Sequence, residues 1–248
     1  MDEENKLLTD FLDTITGSLD SFNQKHLNIV LPFWNTENIT SSVQKNNVIT
    51  ECIITAEKKG VHFHQNNHGF VAILRFPQHN PKSRYRLLET FYKRLPERKA
   101  YGGMNALQYL INELIDNIYQ HSQFSKAYLG VERYDDMFML CICDDGITIK
   151  QSLQKIQPTI ADGSEAIKKA LQGVSSKNEQ RGWGLSSTVS IARHGYHAEI
   201  LIVSSDGACW IKDDEQNLFN LDDASYHGTL LEFRMKLPIP TVDIYEYL

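Results

Sequence analysis

The chain has 248 residues, of which 42% are hydrophobic and 23% are charged, and its net charge is −6 at pH 7. This composition is ordinary for a globular protein, and the length allows one large domain or a compact domain with an extension. The acidic balance argues against direct nucleic-acid binding through a broad basic face, because such binding needs many contacts between cationic side chains and phosphates.

The amino-terminal sequence favours a cytoplasmic location. Residues 1–6 are mostly acidic or polar and lack the apolar stretch of a signal peptide. No segment approaches the roughly 18 apolar residues of a membrane-spanning helix, so no membrane association is expected. The spacing of the cysteines fits neither a disulfide framework nor a metal site, which predicts reduced thiols in the core at Cys52, Cys141, Cys143 and Cys209.

Helical and strand periodicities alternate along the chain. In order, they predict a helix over 5–24, a strand over 26–33, a hairpin of 60–64 and 69–76, helices over 84–95 and 104–121, a hairpin of 128–134 and 137–143, helices over 164–171 and 185–194, and strands over 198–204, 208–212 and 229–235. Helices gathered on one side of a mixed sheet would give an α+β sandwich.

The helix that ends in residues 112–122 carries a polar face. Glu113, Asn117 and His121 are spaced by four, so each step drifts only about 40° around the helix. The opposing stripe is apolar, with Leu107, Leu110, Leu114 and Ile118. The amide of Asn117 can give an oxygen to Mg²⁺, and Glu113 can orient or deprotonate a nucleophile. A solvated polar face is the alternative.

Three later segments combine glycines with polar side chains. An apolar strand ends in Asp144-Asp145-Gly146, where a carboxylate could accept a hydrogen bond from an exocyclic amine and the glycine would let the backbone approach a flat ring. Gly182 and Gly184 precede a helix and would leave amides uncovered for phosphate. Gly228-Thr229 opens the last strand. Each element alone is a weak signal.

Together, the order and spacing of the four elements resemble the GHKL superfamily of ATPases, which groups gyrase, Hsp90, histidine kinases and MutL. The matching positions are Glu113 and Asn117 in its N box, Asp144 and Gly146 in its first glycine box, Gly182, Gly184 and Leu185 in its second glycine box, and Thr229 after Gly228 in its last box. One position departs from the pattern, because Thr148 stands where the first glycine box has its second glycine. The turn there is expected to differ locally.

The resemblance implies a Bergerat-type two-layer α/β sandwich over residues 81–240, with residues 1–80 as an amino-terminal α/β extension. It implies ATP and Mg²⁺ as ligands, with Asn117 on the metal, Glu113 as catalytic base and Asp144 on the adenine amine. The phosphates need local positive charge despite the acidic chain. The basic candidates are Lys177, Arg181 and His121.

The segment Gly163–Arg181 lies where relatives carry a lid over the nucleotide. Its composition is polar, and Lys177 and Arg181 stand at its end. Three functions remain open: ATP hydrolysis, phosphorylation of a protein partner as in anti-sigma factor kinases, or a nucleotide-controlled binding switch with little turnover. We expect a bacterial regulatory protein with a protein partner, and it could form a homodimer.

Overall fold

The computed structural model shows one eight-stranded sheet. It describes residues 55–56, 58–65, 69–78, 81–95, 100, 104–134, 136–175, 184–221 and 225–247. Several predictions lie outside this part of the chain. They are the helix over 5–24, the strand over 26–33, and the roles expected for Cys52, Lys177, Arg181 and Gly182. Cys141, Cys143 and Cys209 are free and buried, as predicted.

The strands run in the order β1-β2-β3-β4-β8-β5-β6-β7. Their bounds are β1 Val61–Gln65, β2 Gly69–Phe76, β3 Ala127–Tyr134, β4 Met137–Asp144, β5 Glu199–Ser205, β6 Gly207–Lys212, β7 Glu215–Asn220 and β8 Tyr226–Lys236. Both predicted hairpins are confirmed, as β1-β2 and β3-β4. Strand β2 also pairs with β3, so the sheet begins before residue 81.

The expected mixed sheet is wrong, because every pairing between the described strands is antiparallel. Strands β4 and β5 run in the same direction, since each pairs antiparallel with β8. They would form a parallel pair if they were neighbours. Strand β8 lies between them and removes that contact.

Five helices accompany the sheet in the described part of the chain. They are α1 Pro81–Arg94, α2 Met104–Asn117, α3 Ile149–Gln154, α4 Gly163–Leu171 and α5 Leu185–Ser190. Helices α2 and α5 continue as π-helical turns, Ile118–Ser122 and Ile191–Gly195, and a 3₁₀ turn spans Ile244–Glu246. None of these helices is long and apolar enough to cross a membrane. The predicted helices in this region are confirmed, whereas α3 and β7 were not predicted.

The core lies between the helices and one face of the sheet. On α2, the predicted apolar stripe is buried, with Leu107, Leu110 and Leu114 at most 3% exposed. Alternate residues of β4, among them Leu140 and Ile142, belong to the same cluster. Strand alternation therefore points Asp144, the last residue of β4, toward the helical layer as well. This arrangement puts a carboxyl group beside the polar face of α2.

Candidate functional site

A cavity of about 620 Å³ lies where α2, the start of α5, and the ends of β4 and β8 meet. Eight of the predicted site residues line it: Glu113, Asn117, His121, Asp144, Thr148, Gly184, Leu185 and Thr229. These residues come from separate segments of the chain, and their convergence was not imposed by any local pattern. Lys177, Arg181 and Gly182 lie outside the described residues.

Gly146 has a different role from the one expected. It does not line the cavity, because its α-carbon packs against the end of α2. A β-carbon at this position would stand 2.0 Å from the carbonyl oxygen of Ser122. The next residue, Ile147, donates its N–H to that same oxygen at 2.6 Å. The glycine is therefore required by contact within the protein rather than by the approach of a flat ring.

The end of α2 is shaped by its π-helical turn. The predicted α-helix reaches only Asn117, after which residues 118–122 follow the wider i→i+5 pattern. The turn stops at Gln123, which adopts the left-handed conformation with φ 53°. His121 still lines the cavity, and Ser122 lines it as well while being only 5% exposed.

Asp144 and Asp145 have separate environments. Asp144 is 1% exposed, lines the cavity and accepts the Gly146 N–H at 2.8 Å. Burial raises the pKa of Asp144 to about 7, although the Gly146 hydrogen bond favours the ionised form. Asp145 instead accepts the backbone N–H groups of Ser125 and Lys126, each at 2.7 Å. Asp144 is therefore the carboxyl group available to a ligand, and Asp145 ties down the loop before β3.

Gly228 brings β8 close to the end of β4. Its φ is 107°, and a β-carbon there would stand 1.9 Å from the Asp144 carbonyl oxygen. Glycine is needed on both counts, because side chains disfavour this φ and the space is already filled. The following residue, Thr229, is the cross-strand neighbour of Asp144 and places its side chain in the cavity wall.

Thr148, where the resemblance would place a glycine, has a backbone conformation that does not require one. Its φ and ψ are −74° and 164°, an extended conformation open to any residue. Its hydroxyl accepts the Gln151 N–H at 3.1 Å, and its own N–H donates to the Gln151 side chain at 3.1 Å. This capping box starts α3 directly after the turn. The turn after β4 therefore ends in a helix cap.

Residues 163–171 of the expected lid segment Gly163–Arg181 form helix α4, and residues 176–181 lie outside the described part of the chain. Helix α4 begins with its Asp162 cap, and the Gly163 N–H donates to Asp206 at 2.8 Å. A β-carbon on Gly163 would lie 2.5 Å from the Gly207 nitrogen, so the helix start and the β5-β6 turn are in close contact. Residues 173–175, after the helix, do line the cavity.

The cavity is acidic in the part that the structure describes. Glu113, Asp116 and Asp144 line it, and none of the described lining residues is lysine or arginine. Arg84 lies nearby, but it pairs with Asp116 at 2.6 Å and stacks on Tyr119 at 4.7 Å from the ring centre. An anionic ligand would consequently need a cation of its own, or basic groups from residues 176–183, which include Lys177 and Arg181.

Sequence reasoning missed several lining residues. Tyr109 lies one helical turn before Glu113, so the periodicity that identified Glu113 could also have identified Tyr109. Burial and the nearby Glu113 carboxylate raise the pKa of the Tyr109 hydroxyl. Ser122 was hidden by the π-helical turn. Apolar walls come from residues that the sequence assigned only to strands or loops: Ile142, Ile147, Ile149, Leu153, Val174 and Leu231.

Comparison of the chain with protein-family models, with curated proteins and with solved structures found no match. Function is therefore inferred from the cavity and from the motifs that surround it. The cavity combines one buried carboxyl group on β4, apolar side chains from several segments, and two carboxylates and an amide on α2. This combination suits a ligand with a flat apolar part and a polar end.

Proposed function

We propose that the cavity binds Mg-ATP, and that the chain is a regulatory protein of the histidine kinase-like ATPase type that hydrolyses ATP or phosphorylates a protein partner. The convergence of the four motif segments on one cavity is the observation that carries this proposal. The motifs were identified in the sequence by their resemblance to the superfamily, and their meeting in space is a separate observation that supports the proposal. A volume of about 620 Å³ lies within the usual range for small-ligand sites.

The base end of the site is formed by Asp144 and Thr229. Asp144 ends β4 and Thr229 lies in the first half of β8; the two residues are neighbours across the sheet and line the cavity. Ile142, Ile147 and Leu231 supply apolar surface next to them, which suits the faces of a purine ring. In its ionised form, Asp144 accepts a hydrogen bond from the adenine amine.

The phosphate end of the site is formed by the polar face of α2. Oxygen ligands are what Mg²⁺ prefers, and the Asn117 amide offers one in an otherwise acidic wall. The positive charge of the metal would offset the repulsion between the phosphates and the cavity carboxylates. Glu113 lies one turn before Asn117 and is the residue we assign as general base, acting on water or on a partner hydroxyl. His121, Lys177 and Arg181 are the proposed cationic contacts.

The two-layer arrangement is consistent with a Bergerat-type sandwich. An antiparallel face is covered by helices, and the proposed nucleotide site lies between the helical layer and the strand ends. In this proposal α3 and α4 frame the site, and residues 172–183 are the part that responds to the γ-phosphate.

The fate of the γ-phosphate distinguishes the proposed activities. Purified protein is incubated with Mg²⁺ and ATP labelled at the γ position, and released phosphate is measured separately from labelled protein in the presence of copurifying partners. Free phosphate supports an ATPase, labelled partner supports a kinase, and saturable ATP binding without either supports a switch. Failure to bind Mg-ATP would contradict the proposal.

Glu113→Gln is the matched variant for that experiment. It keeps the shape of the side chain and removes its charge. If Glu113 is the general base, the variant should turn over about 10²–10⁴-fold more slowly than wild type. Its ATP affinity should be unchanged or slightly higher, because the charge that repels the phosphates has been removed. Retention of full turnover in this variant would exclude Glu113 as the base.

A further inference from the structure

Ser204 is a buried polar residue beneath the base end of the cavity. It lies on β5, is 0% exposed and does not line the cavity itself. In the register of the sheet, Asp144, Thr229 and Ser204 form one row across β4, β8 and β5. Ser204 therefore stands directly behind Thr229.

The Ser204 hydroxyl has three hydrogen-bond partners. Its oxygen lies 2.8 Å from the Gly228 carbonyl oxygen, 2.9 Å from the Ile149 nitrogen and 3.1 Å from the Thr229 hydroxyl oxygen. A hydroxyl has one hydrogen and two lone pairs, so three partners use its full capacity. The direction of each bond can then be assigned by counting.

The count determines the direction of the Thr229 hydrogen. A carbonyl oxygen can only accept, so the single Ser204 hydrogen goes to Gly228. The Ile149 N–H can only donate, and it takes one Ser204 lone pair. The remaining lone pair accepts the hydrogen of Thr229. With its only hydrogen committed to Ser204, Thr229 presents only lone pairs to the cavity.

We propose that Ser204 is a positioning residue for ligand specificity: by holding the Thr229 hydroxyl as a hydrogen-bond acceptor, it makes the base end of the site select an amino group and reject a carbonyl group. This inference rests on the proposed nucleotide site. Thr229 and ionised Asp144 then form two adjacent acceptors for a ligand donor. A ligand carbonyl placed there would leave three acceptors facing one another without a hydrogen between them.

Removing the Ser204 hydroxyl should change the ratio of the affinities for amino and carbonyl ligands, and not only lower both affinities. In Ser204→Ala, the Thr229 hydroxyl loses its acceptor and is free to turn its hydrogen toward the cavity. A carbonyl base would then gain a donor. A residue that mattered only for folding would weaken amino and carbonyl ligands equally, so the ratio of the two affinities separates the two roles.

The test compares adenosine with inosine, which carries a carbonyl in place of the amine, by calorimetric titration of wild type, Ser204→Ala and Thr229→Val at about pH 8, where Asp144 is mainly ionised. Wild type should prefer adenosine. Ser204→Ala should reduce that preference by about tenfold, chiefly through tighter inosine binding. Thr229→Val, which can neither donate nor accept, should weaken adenosine without improving inosine.

The outcomes separate this inference from the proposed function. Adenosine binding with an unchanged preference in folded Ser204→Ala would overturn the role of Ser204 alone. If Ser204→Ala does not fold, Thr229→Val decides: equal adenosine affinity in wild type and Thr229→Val would overturn the inference. Absence of binding of either nucleoside to wild type, together with absence of Mg-ATP binding, would overturn both proposals.

Discussion

The α-carbon of Gly146 packs against the backbone of Ser122 so closely that a β-carbon would stand 2.0 Å from the Ser122 carbonyl oxygen. The neighbouring Ile147 N–H donates to the same oxygen at 2.6 Å. This contact joins the turn after β4 to the end of the long helix α2. It fixes the distance between Asp144, at the base end of the cavity, and Asn117, at the proposed phosphate end.

Gly146→Ala is expected to destabilise the fold. Backbone atoms of Ser122 cannot move aside as a flexible side chain would, and overpacking of this kind typically costs about 1–3 kcal/mol, sometimes more. Urea unfolding should show a loss of at least about 2 kcal/mol. Gly184→Ala is the matched control, because a β-carbon there meets nothing within 4 Å. Equal stability of the two variants would refute the packing constraint.

Asn117→Ala tests the metal end of the site. If the Asn117 amide binds the Mg²⁺ that bridges the phosphates, the substitution should weaken Mg-ATP binding by about tenfold or more, and adenosine binding should change little. Titration calorimetry with both ligands measures the difference. Equal weakening of both ligands would argue against a metal role, and a drop in melting temperature without a change in ligand preference would indicate a structural amide.

Adenosine binding should strengthen as pH rises through neutrality. Burial raises the pKa of Asp144 to about 7, and the ionised carboxyl group is the form that accepts a hydrogen bond from the amine. Binding therefore releases a proton, and affinity should increase about tenfold between about pH 6 and pH 8, then level off. Adenosine is suitable because its base does not titrate in this range. A flat profile would exclude Asp144 as the acceptor.

The raised pKa of Asp144 also predicts how the free energy of unfolding depends on pH when no ligand is bound. The folded state favours protonated Asp144, whereas in the unfolded chain the pKa of this carboxyl group is near its ordinary value of 3.8. Stability from this group is therefore complete below about pH 4 and is lost as pH rises toward 7. Comparing urea unfolding of wild type and Asp144→Asn across that window isolates the contribution, since the amide does not titrate. If the unfolding free energies of the two proteins changed in parallel with pH, the raised pKa of Asp144 would be contradicted.

Nucleotide should protect only part of the predicted lid. Helix α4, Gly163–Leu171, is anchored by its Asp162 cap and by Asp206, so its amide hydrogen exchange should not depend on ligand. In residues 172–183, exchange should be slowed by Mg-ADP and slowed further by a non-hydrolysable ATP analogue, because the cationic side chains respond to phosphate charge. Identical exchange with and without the triphosphate analogue in 172–183 would remove the support for a switch.

Local patterns predicted much of the fold. The apolar stripe of α2 and the two hairpins follow from helical and strand periodicity, and alternation along β4 was enough to separate Asp144 from Asp145. The convergence of these segments on one cavity was expected from the resemblance to the superfamily and not from periodicity.

Features set by non-local contact were not predictable from those patterns. The insertion of β8 between β4 and β5 made the sheet antiparallel, and no local pattern encodes that pairing. Strand β7 is half-exposed, and its two apolar residues, Leu218 and Phe219, are consecutive, so it lacks an apolar alternation. Helix α3 has only six residues and depends on its cap and on the Ile149 bond to Ser204. The reason for glycine at 146 required knowledge of the Ser122 backbone.

The proposal that the cavity binds adenine nucleotide through Asp144 is tested most directly by titrating wild type with Mg-ATP and with Mg-ITP in parallel. The two ligands share phosphates, ribose and metal, and differ in carrying an amine or a carbonyl at the position that should face Asp144. We predict saturable binding of one ATP per chain and, at about pH 8, at least about tenfold weaker binding of ITP, because the carbonyl would oppose a buried carboxyl group that is mainly ionised above its pKa of about 7. Absence of ATP binding, or equal affinity for the two nucleotides, would contradict it.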